Sequence, residues 1–135
     1  MKNKLKYIDV IVKIIAAFIM LQTLYFKFSA SPESVYIFSK IGMEPIGRIG
    51  TGIGELIASL LILIPRTTWL GAIGAIGLMG GALFFHFTVL GIIVMDDGGQ
   101  LFIYACLVLL SSAYLLIRNR EVVFAFIGNK KSKQW

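Results

Sequence analysis

Few residues in this sequence can do chemistry, and those that can fall at helical intervals. Arg48, Thr51, Glu55 and Ser59 follow one another at steps of three, four and four positions. At 3.6 residues per turn these steps put all four on one face of a helix. A carboxylate in line with a guanidinium and two hydroxyls can bind a polar group or hold a proton. His86, the single histidine, lies within Leu83-Phe84-Phe85-His86-Phe87, and histidine is suited to acid–base work near neutral pH. Lys27, Gln22, Gln100 and Tyr104 add a cation, two amides and a phenol.

The elements that must position these groups follow from composition. Of 135 residues, 58% are hydrophobic, and the mean hydropathy is +0.86. A soluble domain of this size leaves too much surface wet to hide that apolar area. Charged residues gather at the ends and in short connectors, as a bilayer requires. Four apolar stretches, about 7–26, 46–64, 69–93 and 100–117, approach the ~20 residues needed to cross the hydrocarbon. Unpaired backbone is not tolerated in lipid, so these stretches read as helices, and no strand-like alternation points to a barrel. The expected fold is all-α, an integral membrane four-helix bundle in one transmembrane domain over residues 1–135.

The connectors carry turn chemistry. Pro65-Arg66-Thr67-Thr68 joins the second and third spans with a threonine suited to capping the next helix. Met95-Asp96-Asp97-Gly98-Gly99 joins the third and fourth, its aspartates expected in a solvated turn. Between the first two spans, Ser31 reads as an N-cap, Pro32 as a first helical position and Gly42 as a stop, giving a short interfacial helix with Val35, Phe38 and Ile41 on one face. The basic start, Lys2, Lys4 and Lys6, resembles a signal peptide, yet the apolar run exceeds the usual ~7–15 residues, so the first span is expected to stay.

Lysine and arginine placement sets the expected orientation. With both ends in the cytoplasm, the inner side holds Lys2, Lys4, Lys6, Lys13, Arg66, Arg118, Arg120, Lys130, Lys131 and Lys133, and the outer side only Lys27, Lys40 and Arg48. The net charge of +6 is then a fringe facing anionic lipid, not a nucleic-acid surface. The expected location is the inner membrane of a bacterium.

In that frame Glu55 sits about 13 Å beyond Ile46, near mid-bilayer. It needs a partner, for which Arg48 and His86 are the candidates. Lys27, Gln22, Arg48, Glu55, His86, Gln100 and Tyr104 can then line one outward-opening pocket, with Ser111 continuing the fourth helix's face and Tyr25, Phe26, Phe84, Phe85 and Phe87 as its walls. Plainer roles stand beside this one: a hydrogen-bonded structural histidine, a Glu55–Arg48 clasp, a snorkelling Lys27. Asp9 and Lys13, one turn apart, read as a local ion pair. Gly50, Gly54 and Ala58, and Gly71, Gly74, Gly77, Gly80 and Gly81, read as close helix packing, since a phosphate loop would need a preceding strand. The lone Cys106 allows neither an intramolecular disulfide nor CxxC chemistry, and with one distant histidine it makes no metal site.

Lys27-Phe28, Ser31-Pro32-Glu33-Ser34, Gly42-Met43-Glu44-Pro45, Arg48 through Leu56 (Arg-Ile-Gly-Thr-Gly-Ile-Gly-Glu-Leu), Ile64-Pro65-Arg66-Thr67, Gly71, Gly81-Ala82 and His86 together resemble the DoxX family. The resemblance covers about two thirds of the chain and implies a compact four-helix membrane bundle. Its matching positions are Lys27, Arg48, Glu55 and His86, with no settled catalytic roles to carry over. Relatives include a subunit of a thiosulfate:quinone oxidoreductase, a component of a mycobacterial membrane oxidoreductase complex, and eukaryotic proteins that help assemble acetylcholine receptors. The resemblance therefore carries fold further than function.

Three functions are open at this point. A quinone-linked or redox-associated subunit would use the pocket for a small hydrophobic or quinone-like ligand; the cofactor is left open, a quinone being one that such a pocket could hold. A non-catalytic scaffold or assembly chaperone would use the glycine faces to dock a protein partner or a second copy. A small transporter is disfavoured, because four-helix exporters place their glutamate in the first span.

Overall fold

The computed structural model describes residues 2–94 and 97–132. Met95 and Asp96 of the expected turn, and Lys133 of the basic C-terminal run, lie outside the described residues. Helix α1 runs Lys2–Phe28, α2 Pro32–Lys40, α3 Ile46–Leu63, α4 Thr68–Phe85, α5 Gln100–Arg118 and α6 Arg120–Ser132, with a 3₁₀ turn over Pro65–Thr67 and a π turn over His86–Leu90. Four stretches, Lys4–Phe28, Ile46–Leu63, Pro65–Leu90 and Gln100–Arg118, are long and apolar enough to cross a membrane. The protein is an all-α, multi-pass membrane bundle.

The four spanning helices form a square. α1 packs on α3 and α5, α4 packs on the same two, and α1 and α4 sit on a diagonal. Small side chains line the centre: Ala16, Ala58, Ala72, Ala75 and Ala105 are buried together with Met20, Ile62, Val108 and Leu115. Outside, Ile53, Ile57, Ile73, Ile103 and Leu110 are exposed. That would be a liability in water and is ordinary against lipid tails, where helices associate through close packing. Close packing is extreme at Gly71, where an added Cβ would lie 2.6 Å from Ala58 O and 2.6 Å from Ile62 N. Gly52 backs onto the Phe28 ring and Gly54 onto Leu78. Gly50, Gly77, Gly80 and Gly81 have open space where a side chain would go, so the packing reading holds for only part of the glycine set.

The α1–α2 turn places Ala30 in the left-handed region (φ 55), with the Ser31 N–H donating to Phe26 O at 3.0 Å in the manner of a Schellman end. Ser31 Oγ then accepts from the Ser34 N–H, Pro32 opens α2, and Gly42 (φ 75) follows it, as its residues indicate. Its inward face differs from expectation. Ser34 and Phe38 are the buried pair, and α2 contacts α1, α3 and the π turn, so it lies across the end of the bundle as a cover.

Three further local expectations are corrected. The Pro65–Thr68 threonines do not cap α4. Thr67 Oγ1 donates to Leu61 O at 2.9 Å, and Thr68 Oγ1 lies 2.9 Å from Ile62 O, so both satisfy the last carbonyls of α3. The third span stops at Leu90, not Ile93, because Gly91 (φ 78) turns the chain while its N–H reaches His86 O at 2.8 Å. Asp9 pairs across the bundle with Arg118, at 3.1 Å to Nε and 3.2 Å to Nη2, instead of with Lys13. This bidentate contact ties the start of α1 to the end of α5. After Asn119 the chain forms α6, which the spans do not foretell. It is anchored where Phe126 meets the Trp69 ring, centroids 5.2 Å apart.

Asp97 organises the start of α5. Its Oδ1 accepts from the Val94 N–H at 3.0 Å and the Gly99 N–H at 2.8 Å, and its Oδ2 from the Leu101 N–H at 3.2 Å. Burial pushes this carboxyl up, but the three donors and the neighbouring His86 outweigh it and hold the group below its ordinary value. A depressed carboxylate stabilises fully above its unfolded value, about 4, and the gain is lost as pH falls through the lower folded value. Asp97→Asn should therefore cost about 1 kcal/mol near neutral pH and flatten the acid limb of a thermal-unfolding profile in detergent. An unchanged profile would show that the turn does not depend on the carboxylate. In the same assay Gly71→Ala should destabilise by roughly 1–3 kcal/mol, since backbone atoms must give way. Gly80→Ala should be neutral or stabilising by up to about 1 kcal/mol.

Candidate functional site

Glu55 occupies the middle of α3 and is only 4% exposed. A lone carboxylate at that depth is costly, and it would be neutralised or matched. The match is Lys27, at the last turn of α1. Its Nζ lies 2.7 Å from Glu55 Oε2 and 2.9 Å from Oε1. Thr23, one turn back on α1, stands 3.1 Å from Glu55 Oε2 and accepts from Lys27 Nζ at 3.2 Å. α1 thus presents Thr23 and Lys27 at helical spacing to one carboxylate on α3, and the seam between the two helices is set by charge.

Arg48 and His86 partner other groups. Arg48, buried at the start of α3, donates from Nε to Glu44 at 2.8 and 3.1 Å and from Nη1 to the Lys27 carbonyl. It closes the C-terminal end of α1 and holds Glu44 of the preceding turn. His86 is 5% exposed. Its Nδ1 lies 2.8 Å from Gly91 O, and its ring meets Phe102 edge-on, centroids 5.6 Å apart. The π turn that begins at His86 brings its backbone and its ring to the same glycine, a distortion of the kind often met at functional sites. Gln100 Nε2 donates to Tyr104 OH at 2.7 Å across one turn of α5.

Beside the Lys27–Glu55 pair lies a cavity of about 470 Å³, at the end of the bundle where α1 finishes and α5 begins. Gln22, Thr23, Lys27, Thr51, Glu55, His86, Gln100 and Tyr104 supply its polar wall. Ile19, Met20, Leu78, Met79, Phe85 and Leu101 supply much of its apolar wall. Glu33, Ser34, Ile37, Phe38 and Ile41 of α2 complete it. The volume falls within the ~300–1,000 Å³ of ligand pockets, and the mix of apolar wall and few polar groups is typical of them. Among the described residues no group of three or more His, Cys, Asp or Glu stands together, and Cys106 is a free thiol.

Six of the seven residues singled out by the sequence line this cavity: Gln22, Lys27, Glu55, His86, Gln100 and Tyr104. Arg48 does not; it braces the end of α1 from outside. Of the expected aromatic walls, Phe26 and Phe85 line the cavity, whereas Tyr25, Phe84 and Phe87 are 74%, 61% and 69% exposed and face away. Five neighbouring rings cannot all point inward from helices of 3.6 residues per turn. Ser111 is likewise not part of the lining. Thr23 and the part that α2 plays in the wall were not among the expected features of the site. The Thr23–Lys27 interval of four was the available signal for the first, since it puts a hydroxyl beside the ammonium.

Because the pair is buried, removing one partner strands the other. Lys27→Met should lower stability in detergent by about 3–5 kcal/mol, and Glu55→Gln by less, because a neutral amide is left in place of a charge. The double variant Lys27→Met/Glu55→Leu should recover most of the loss. Strict additivity of the single changes would mean that the two groups do not act as a pair.

Neither a curated protein nor a solved structure matches the chain. The family model described as DoxX-like family matches residues 11–111, a stretch that runs from the first turns of α1 into α5 and includes every residue of the cavity's polar wall. The chain belongs to the DoxX-like family.

Proposed function

We propose that the protein is a ligand-binding subunit of a redox system, working as one transmembrane domain. Its cavity takes a small, mostly apolar molecule with polar ring oxygens, of the quinone type. The cavity itself carries this reading: about 470 Å³, chiefly apolar, with Gln22, Gln100, Tyr104 and His86 spread around one buried ion pair. A water-soluble metabolite would find too few polar partners there, and a plain alkane would leave the polar wall unmatched. The location that fits is a bacterial inner membrane with both termini in the cytoplasm. Arg66, Arg118 and Arg120 fall at the end of the bundle that carries the termini, which agrees with the positive-inside tendency.

A scaffold or assembly role is the second reading, and one observation favours it. Gly74, Gly77 and Gly80 sit exposed along α4, and Cβ atoms at Gly77 and Gly80 would meet nothing within 4 Å. This small-residue face is unused by the bundle and suits a further helix.

Titrating purified protein in lipid nanodiscs with decylubiquinone separates the two. A bound ligand stabilises the folded state, by about 2.7 kcal/mol at a hundredfold excess over its dissociation constant, and so raises the unfolding temperature. Ala82→Trp, which fills the cavity from α4, should abolish the rise. No rise in the wild type, or an equal rise in Ala82→Trp, would remove the cavity as the ligand site and leave the scaffold reading.

A further inference from the structure

The polar census of the cavity says more about its ligand than its shape does. An ammonium has three N–H donors. In Lys27 the ammonium is engaged by protein acceptors, with Nζ 2.9 Å from Glu55 Oε1, 2.7 Å from Glu55 Oε2 and 3.2 Å from Thr23 Oγ1. Its charge is matched by the same carboxylate. The other buried cation at this end, Arg48, is held by Glu44 and the Lys27 carbonyl and lies outside the lining. Among the described residues the wall therefore offers an anionic ligand no unpaired cation, and sets Glu33 and Glu55 against it.

The free atom of His86 points the same way. Its Nδ1 faces the Gly91 carbonyl at 2.8 Å, and a carbonyl can only accept, so Nδ1 carries the proton. In the neutral ring the remaining nitrogen, Nε2, is then an acceptor. The turn holds that carbonyl in place, because the Gly91 N–H binds the His86 backbone carbonyl at 2.8 Å and the φ of 78 favours glycine.

We infer that the cavity selects an uncharged, hydroxyl-bearing ring, a quinol or phenol, over the matching carbonyl form and over anions, with His86 Nε2 accepting the ligand's O–H. This rests on the ligand-binding reading above and adds the preferred form of the ligand. The wall's donors, the Tyr104 hydroxyl, which accepts from Gln100 Nε2, and the Gln22 amide, can serve the ring oxygens of either form; quinol and quinone differ only by a hydrogen on each of two ring oxygens, so comparing them tests the acceptor.

The test measures binding of decylubiquinol and decylubiquinone to the full chain in nanodiscs, without oxygen. It is run at one fixed pH, with decanoate as a competing anion. The expected result is quinol binding roughly tenfold tighter than quinone, with no competition from decanoate. In His86→Asn, which keeps a donor for the Gly91 carbonyl but withdraws the Nε2 acceptor, the preference should shrink to within about twofold. Both forms binding equally, or the quinone binding tighter, overturns the inference while the ligand-binding reading stands. Competition by decanoate at comparable affinity does the same, as does an undiminished quinol preference in His86→Asn. Failure of both forms to bind overturns the two together. The wild-type comparison needs no variant, so it decides the matter even where His86→Asn does not fold.

Discussion

A carboxylate in the middle of a membrane helix constrains everything near it. Glu55 cannot face lipid, and within the bundle it needs a cation at hydrogen-bonding distance. Lys27 supplies one, 2.7 Å away. For its ammonium to reach that depth, α1 and α3 must hold one register. Thr23 then falls beside the pair, and the end of α1 falls where Arg48 can take its last free carbonyl. Such a pair adds little net stability compared with a well-packed apolar seam, since both ions are desolvated. What it contributes is specificity of register and a polar wall in an otherwise apolar interior. The cavity lies beside that wall, roofed by α2 and bordered by the π turn at His86.

How much of this could be read from the sequence depended on which physical signal each part left. Continuous apolar length is a strong signal, and the four spans follow from it. The Ser31-Pro32 start and Gly42 stop of α2 were also legible, because capping and positive φ restrict residue types. Polar residues inside spans marked six lining positions, since lipid penalises them wherever they do not face protein. Pairing was not legible. Glu55 had Arg48 on its own helix and His86 on another as candidates, and its partner is Lys27. Likewise Asp9 reaches Arg118 on α5, not Lys13 one turn away. A helical interval says which side chains share a face, but not which neighbouring helix comes closest. The aromatic walls failed for a related reason, as Tyr25, Phe84 and Phe87 fall on lipid-facing sides of helices whose other faces line the cavity.

Membership of the DoxX-like family agrees with the bundle and does not by itself assign chemistry. The functional reading therefore stands on the site. Two of its features are unlike a merely structural polar cluster. The Lys27–Glu55–Thr23 group satisfies its own hydrogen bonds, so the bundle does not need the adjoining space to neutralise it. Gln22, Gln100, Tyr104 and His86 then surround that space from three different helices. A bundle built only for stability would close it with side chains, as it does around Ala72, Ala75 and Leu115, each wholly buried.

The most direct test of this account is native mass spectrometry of the protein drawn gently from its own membrane, with solvent extraction of whatever leaves with it. The account predicts one small, ring-bearing hydrophobic molecule per chain, lost when Ala82→Trp fills the cavity. A chain that arrives empty and bound to a second polypeptide would contradict it, and would make the polar cluster a device for holding helices in register.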